Sequence, residues 1–304
     1  MGFFFDERIA QPAAQQADFT KALMAGIKAA GHGGIHNFSY GALATYFRLG
    51  TLPEADVRFN GRILSLSGLP GSARRKVFVM DDQALQPGDM DVLRGLQAES
   101  AIYSKAKLVL PGGSKFKELC YDLEEVFSVT SYPNSKKRHQ RLVYPSARFR
   151  REGYVAHIQR GQAGSTLIAE IEELHRAWVA HKLADPRTMR TMFPKARYLN
   201  CAKIAGADPE NYRMLGARDR DGNLRACRVF YVEGEWAFDL AFFSRFWDSY
   251  SNMTEDFNFA CMAALHMTGV RFLNSGASLH KNLSAFKSHY PCSDVISWAY
   301  SKQR

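Results

Sequence analysis

Apolar side chains recur at helical spacing in the second half of the chain. Residues 164–186 place them three or four positions apart and predict a helix, with Ser165 or Thr166 as its N-cap. A second helix is predicted over residues 251–269, where Asn252 or Thr254 is the candidate N-cap and Gly269 the stop. The apolar stripe of the first helix comprises Leu167, Ile168, Ile171, Leu174 and Trp178. We expect this stripe to face a core.

Short apolar runs between turn residues predict strands around these helices. The segments 211–219, 224–232 and 236–243 are separated by Asp221-Gly222 and by Gly234, which predicts a three-stranded antiparallel meander. The pattern after residue 269 predicts a strand over 270–274, a short helix over 281–290 and a final strand over 294–300. The predicted order is therefore helix, meander, helix, strand, helix, strand.

The first half is less regular. Residues 15–48 predict two helices, and Asn60-Gly61 between alternating segments predicts a β-hairpin. The pattern further predicts strands over 76–82 and 106–113, with a helix running from Pro87 to about Ser104. A chain of 304 residues corresponds to two domains or one large domain. We expect two, over residues 1–152 and 153–304.

Composition indicates an ordinary globular protein. Apolar residues make up 46% of the chain, and its five cysteines are scattered without a CxxC motif. This pattern is typical of reduced thiols in a cytosolic protein. We expect no metal site, no permanently bound cofactor and no transmembrane segment, since no apolar run reaches the ~18 residues of a membrane helix. We therefore expect a soluble, cytoplasmic protein.

Charge points to an acidic partner. The formal net charge is +10, and seven of the sixteen residues from Lys136 to Arg151 are Lys or Arg. Apolar residues interleave with these charges, and Pro145 must break a helix or begin a new one. The segment predicts either a surface that meets nucleic-acid phosphates or a solvated helix face. The candidate phosphate-binding residues are Lys136, Lys137, Arg138, Arg141, Arg148, Arg150 and Arg151.

Two stretches carry a resemblance to known enzymes. CYDLEEV (120–126), followed by NSKKRHQRLVYPSARFRREGY (134–154), resembles the joint between the halves of the phosphatidylglycerol lysyltransferase C-terminal domain family. A second landmark is Asn-x-Gly after a strand, then Leu-x-x-x-Lys and Tyr-Pro. The matching residues here are Asn274, Gly276, Leu283, Lys287, Tyr290 and Pro291. Fem-type peptidoglycan aminoacyltransferases look similar here, through a Phe286-Lys287 pair.

The resemblance covers residues 75–304 and implies a fold. Its members belong to the GNAT acyltransferase superfamily and have tandem GNAT-like halves. Each half would be an α/β (α+β) domain with a mixed, mainly antiparallel sheet flanked by helices. Members transfer an amino acid from aminoacyl-tRNA. The stretch WDSYSNMTED (247–256) stands where acetyltransferases carry a glycine-rich acyl-CoA loop, so aminoacyl-tRNA is the expected donor rather than acyl-CoA.

The same resemblance directs attention to the stretch after Asn274. Acyl transfer needs preorganised donors for the charge that develops on the carbonyl oxygen, and a lysine ammonium supplies one. We predict Lys287, Asp239 and Ser275 as catalytic residues. The predicted substrate-binding residues are Asn274, Gly276, Ser278, Tyr250, Asn252 and Tyr290. Two structural alternatives stay open: Lys287 as a solvent-exposed lysine, and Asp239 as the ion-pair partner of Arg228.

Several functions remain open from the sequence. The first is transfer of an aminoacyl group to an amine or hydroxyl acceptor. The second is transfer of an amino acid or acyl group onto a modified base in DNA, which would have to be flipped or single-stranded. The third is a nucleic-acid-binding protein without catalysis on a GNAT scaffold. The fourth is acyl-CoA-dependent acetylation.

Overall fold

A computed structural model describes residues 114–128, 144–184, 195–278, 286–291 and 294–302, four strands nearer the N terminus, and the single residues 25, 29 and 136. The strands are β1 Val57–Phe59, β2 Ile63–Leu66, β3 Lys76–Val79, β4 Ser100–Ser104, β5 Ser114–Asp122, β6 Val155–Ile158, β7 Tyr212–Arg218, β8 Leu224–Glu233, β9 Trp236–Ser244, β10 Phe272–Ser278 and β11 Asp294–Lys302. The helices with defined bounds are α1 Leu123–Phe127, α2 Tyr144–Arg151, α3 Ser165–Ala184, α4 Lys195–Ala207 and α5 Met253–Met267.

The chain forms two compact units. The described residues of the first unit lie within Tyr121–Asn274 and Tyr290–Ser293. Those of the second lie within Phe3–Cys120, Ser275–His289 and Asp294–Arg304. The predicted division into tandem halves at residues 152 and 153 stays a prediction.

The first unit is built on the predicted meander. Its strands are ordered β10-β9-β8-β7-β6, with β6 to β9 antiparallel and β10 parallel to β9. Helices cover both faces of this sheet. Phe243 packs edge-on against His175 of α3, whereas the neighbouring Phe242 stacks on Phe257 of α5. Because successive strand side chains point to opposite faces, α3 and α5 lie on opposite sides.

A β-bulge interrupts the pairing of β8 with β9. Val229 pairs with Ala241 but Phe230 pairs with Asp239, so Leu240 is the extra residue. The bulge reverses which face the preceding β9 side chains occupy. Asp239 thereby lies on the same face as Arg228, although regular alternation would place it on the opposite face.

The second unit contains the hairpin predicted at Asn60-Gly61. Phe59 of β1 pairs with Leu64 of β2 in antiparallel register, which confirms the hairpin. Four residues separate this pair, whereas a two-residue Asn60-Gly61 turn would pair Phe59 with residue 62, and the turn itself lies outside the described residues. The strand order continues as β1-β2-β3-β4-β11-β5, and the Ser275–Ser278 part of β10 lies beside β5. Strands β3 and β4 are parallel, and β11 is antiparallel to both of its neighbours, β4 and β5. The mixed, mainly antiparallel architecture is as predicted.

Two predictions about elements were wrong, and two elements were missed. The strand expected to end at Asn274 continues to Ser278, and the helix expected to reach Ser104 gives way to β4, which pairs on both sides. Helix α4 and strand β6 were not predicted. The buried face of α4 consists of small residues, and an added Cβ at Gly206 would lie 3.2 Å from Cδ1 of Ile168 on α3 and 2.9 Å from Cβ of Ala163 just before it. Small residues carry little periodic apolar signal.

Candidate functional site

Lys287 lies buried against the extended part of β10. Its side chain is 9% exposed, and its ammonium donates to the carbonyl oxygens of Ser275 at 2.6 Å and Gly276 at 2.9 Å. These two carbonyls orient the ammonium against the strand. The alternative of a solvent-exposed lysine is wrong.

The backbone of β10 adapts to this lysine. Gly276 adopts a left-handed conformation with φ of 72°, which a residue with a side chain rarely adopts. The carbonyl oxygen of Gly276 accepts one of the two hydrogen bonds from Lys287. The hydroxyl of the buried Ser275 donates to the carbonyl of Leu119 at 2.9 Å, which fixes its oxygen in place. Lys287, Ser275 and Gly276 therefore form one polar cluster, the Lys287 cluster.

Asp239 is engaged by Arg228 in the first unit. Nε and Nη2 of Arg228 donate to the two carboxylate oxygens of Asp239 at 3.3 and 2.6 Å, and Nη1 donates to Asn258 of α5. The guanidinium also lies over the rings of Phe230 and Phe242, at 5.2 and 5.7 Å from their centroids. The ion pair expected as the structural alternative is confirmed. A catalytic role for Asp239 stays a prediction.

Two buried thiols border this ion pair. Burial raises the pKa of Cys261 to about 12 and that of Cys227 further, so both thiols are protonated near neutral pH. A protonated thiol is a poor nucleophile.

Arg148, Asp256 and Tyr250 form a second polar cluster. Nε and Nη2 of Arg148 donate to the carboxylate of Asp256 at 2.6 and 2.5 Å, and the Tyr250 hydroxyl donates to the same carboxylate at 2.7 Å. Asp256 is fully buried. Burial, with the bond to Asp256, raises the pKa of Tyr250, and the bond to Asp256 raises the pKa of Arg148. Tyr250 therefore keeps its proton, and Arg148 its charge.

Aromatic rings enclose the guanidinium of this Arg148 cluster. Arg148 lies over the rings of Tyr144 and Tyr250, 5.7 Å from each centroid. Next to them, the Tyr154 hydroxyl and Ser249 Oγ are hydrogen-bonded at 2.9 Å. The loop before α5 thus contributes Ser249 and Tyr250 to one network that also reaches α2. Sequence reasoning missed Asp256, although a carboxylate on the apolar stripe of α5 is a signal of buried pairing.

The N-terminal residue of α5 is unusual. Asn252 occupies the predicted N-cap position, with a left-handed φ of 70° and no side-chain capping hydrogen bond. Such a conformation is strained for a residue other than glycine and is concentrated at functional sites. Its predicted role in substrate binding stays a prediction.

The remaining substrate-binding predictions fall on buried or partly described positions. Asn274 is fully buried on β10, and Tyr290 is buried with its ring 6.1 Å from that of Phe259. Ser278 is the last residue of β10. Their binding roles stay predictions.

The basic stretch is described in part. Lys136, Arg150 and Arg151 are exposed, whereas Arg148 is committed to Asp256. Lys137, Arg138 and Arg141 lie outside the described residues. Pro145 occupies the second position of α2, where its missing N–H costs no hydrogen bond, so it lies in the first turn of a new helix.

The described residues contain neither a membrane-spanning helix nor a metal-binding group of side chains. None of the described helices is both long and apolar enough to cross a bilayer. Among the same residues, no group of three or more His, Cys, Asp or Glu side chains is arranged to hold a metal ion.

Comparison with known proteins places the fold. No protein-family profile and no curated protein sequence matches the chain. Among solved structures, L-PGS from Bacillus licheniformis aligns with a TM-score of 0.54 and 16% identity, covering 93% of this chain and 92% of that one. The C-terminal domain of a provisionally named lysylphosphatidylglycerol synthetase from Agrobacterium fabrum aligns with a TM-score of 0.57 and 16% identity. This alignment covers 95% of this chain and 92% of that one.

A third structure resembles the chain more in shape than in sequence. A conserved protein of unknown function from Bacteroides thetaiotaomicron aligns with a TM-score of 0.62 and 11% identity, over 97% of this chain and 98% of that one. These likenesses confirm the predicted α/β fold and its resemblance to the lysyltransferase C-terminal domain.

Proposed function

We propose that the chain is an aminoacyltransferase that moves an amino acid from an aminoacyl-tRNA to an amine or hydroxyl acceptor. The observation that carries the proposal is the buried ammonium of Lys287, held by the carbonyls of Ser275 and Gly276 at 2.6 and 2.9 Å. A fold shared with lysylphosphatidylglycerol synthetase domains supports it as analogy.

The reaction needs the charge that Lys287 carries. The acceptor nitrogen or oxygen attacks the ester carbonyl of the donor and forms the new amide or ester bond. The bond from that carbonyl to the ribose oxygen breaks, and the acceptor proton ends on the ribose hydroxyl. Negative charge develops on the carbonyl oxygen between these events, and a preorganised ammonium stabilises it.

The start of α5 argues against a CoA donor. Pyrophosphates bind at helix N-termini that present free N–H groups and carry no opposing charge. The first turn of α5 contains Glu255 and Asp256, and the preceding loop carries Trp247 and Tyr250 in place of glycines. Glu255 and the aromatic side chains disfavour a pyrophosphate here, whereas the Asp256 charge is paired with Arg148.

Transfer of labelled amino acid tests the proposal. Purified protein is incubated with a mixture of radiolabelled aminoacyl-tRNAs and a lysate separated into lipid, peptide, nucleic-acid and small-molecule fractions. We expect label to move into one fraction, and Lys287→Ala to reduce the rate by about 100- to 1000-fold. Lys203→Ala is the matched control, because Lys203 is an exposed lysine paired with Glu172.

The outcomes separate the alternatives. Label recovered in DNA from the nucleic-acid fraction favours transfer onto DNA. No transfer from tRNA, together with transfer from acetyl-CoA, contradicts the proposal for the donor. Full activity of folded Lys287→Ala contradicts the assignment of the Lys287 cluster.

A further inference from the structure

Two rings stack at the surface of the first unit. His181 of α3 and Trp247 of the loop after β9 have ring centroids 4.0 Å apart and planes inclined by 7°. Both residues are exposed, and Trp247 keeps 41% of its surface accessible. A stacked pair of this kind in a core would be buried, so this pair presents aromatic surface to solvent.

The sequence explains why these rings lie outside. The buried stripe of α3 includes Leu174 and Trp178, and His181 continues it by one more turn. Phe246 is buried, with its ring 5.7 Å from that of Phe257, and this anchors the loop so that the next residue, Trp247, faces outward. The two rings therefore meet where the core ends.

Basic residues occur on both elements that carry this stacked pair. The last nine residues of α3, from Arg176 to Ala184, include Arg176 and Lys182 and no Asp or Glu. On the loop, Asp248 is paired with Arg225 and lies 3.5 Å from Nε of Arg245. The nearest acidic side chain in the loop is thus neutralised by two arginines.

We propose that Trp247 and His181 form a stacking site for an unpaired nucleobase of RNA. Aromatic faces beside cations bind single-stranded nucleic acid through base stacking and phosphate contacts. The proposed function enters only in the identity of the RNA, because an aminoacyltransferase would present the unpaired end of a tRNA to this site. The binding itself requires no transfer reaction.

Binding of two RNA hairpins tests the site. One fluorescently labelled hairpin carries a short unpaired 3′ overhang and the other is blunt, and fluorescence anisotropy gives both affinities. We expect Trp247→Ala and Trp247→Leu to weaken binding of the overhang hairpin by about 5- to 100-fold. Trp247→Phe should retain most of the affinity, since it keeps an aromatic face. Blunt-hairpin binding should be unchanged.

Met267→Ala is the matched control, because Met267 is an apolar residue of the same unit with 80% exposure. Equal affinity of wild type and folded Trp247→Leu for the overhang hairpin would overturn the proposal. Equal loss for both hairpins would also overturn it, because stacking on an unpaired base would not be the cause. Binding of neither hairpin by wild type also overturns it. Overhang binding that needs Trp247 without any aminoacyl transfer upholds this site and contradicts only the proposed function.

Discussion

Replacing Arg148 by alanine should destabilise the fold, because the buried carboxylate of Asp256 loses the cation that pairs with it. The Asp256 side chain has no exposed surface, whereas Arg148 keeps 18% of its side chain exposed. Removing one partner of a buried ion pair costs about 3–5 kcal/mol. Because the Tyr250 hydroxyl continues to donate to Asp256, we expect the lower end of that range, a loss of about 3 kcal/mol in the free energy of unfolding.

The loss should depend on pH. Burial without a cation raises the pKa of the Asp256 carboxyl in the variant. A carboxyl whose folded pKa exceeds its unfolded value of about 3.9 favours the folded state at low pH, and this contribution is lost as pH rises through the folded pKa. The deficit of Arg148→Ala should therefore be smaller at about pH 5 than at about pH 7.5, by up to about 1.4 kcal/mol per unit of pKa increase.

Urea unfolding followed by circular dichroism at both pH values measures these differences. Arg148→Lys keeps the charge but loses the two-pronged geometry, so its deficit should be intermediate. Arg150→Ala on the same helix is the control and should change stability by about 0.5 kcal/mol or less, since Arg150 is exposed. A deficit below about 1 kcal/mol for Arg148→Ala, or one that grows in acid, would refute the reasoning about the buried pair.

Two further predictions concern the contact of β6 with β7. Burial, together with the charge of Arg218, lowers the pKa of His157, so its contribution to stability is present above the unfolded pKa of about 6.5 and lost as pH falls through it. His157→Gln should flatten the pH dependence of urea unfolding between about pH 7.5 and 5.5, and an unchanged slope would contradict this. An added Cβ at Gly216 would lie 2.7 Å from His157 Cε1, so Gly216→Ala should destabilise by about 1–3 kcal/mol. In the double variant with His157→Ala much of that loss should disappear, and strict additivity would argue against the steric cause.

The helices and meander of the second half follow from local patterns. Residues 164–186 and 251–269 carry sustained helical periodicity, and α3 and α5 form within them. Asp221-Gly222 and Gly234 mark the meander turns, and both glycines have positive φ. These elements could be predicted because turn residues and apolar periodicity are visible in the local sequence.

Elements that depend on distant partners were not predictable. Strand β4 forms where a helix was predicted, because its two flanks pair with β3 and β11. Strand β10 continues past Asn274 because its second part lies beside β5. Pairing of this kind overrides local propensity.

The candidate site divides in the same way. Arg228 was a foreseeable partner for Asp239, since both residues lie on adjacent predicted strands. The bulge at Leu240, which brings Asp239 to the face of Arg228, leaves no local signal in the apolar run of β9. Arg148 and Asp256 are 108 positions apart, so no local pattern joins them. The position of Lys287 followed from resemblance, but its carbonyl partners required the structure.

The fate of Arg148 also changes how the net charge of +10 is interpreted. A basic stretch of seven cations predicts a slope of about −6 for log affinity against log salt if every cation meets a phosphate of duplex DNA. If Arg148 left Asp256 to bind a phosphate, the buried carboxylate would lose its cation, which costs about 3–5 kcal/mol. The free energy gained from one phosphate contact at the surface is smaller than this cost. Of the cations in that stretch that the structure describes, Lys136, Arg150 and Arg151 are exposed. The rings of Tyr144 and Tyr250 are already occupied by Arg148, whereas the stacked pair His181–Trp247 presents aromatic surface to solvent.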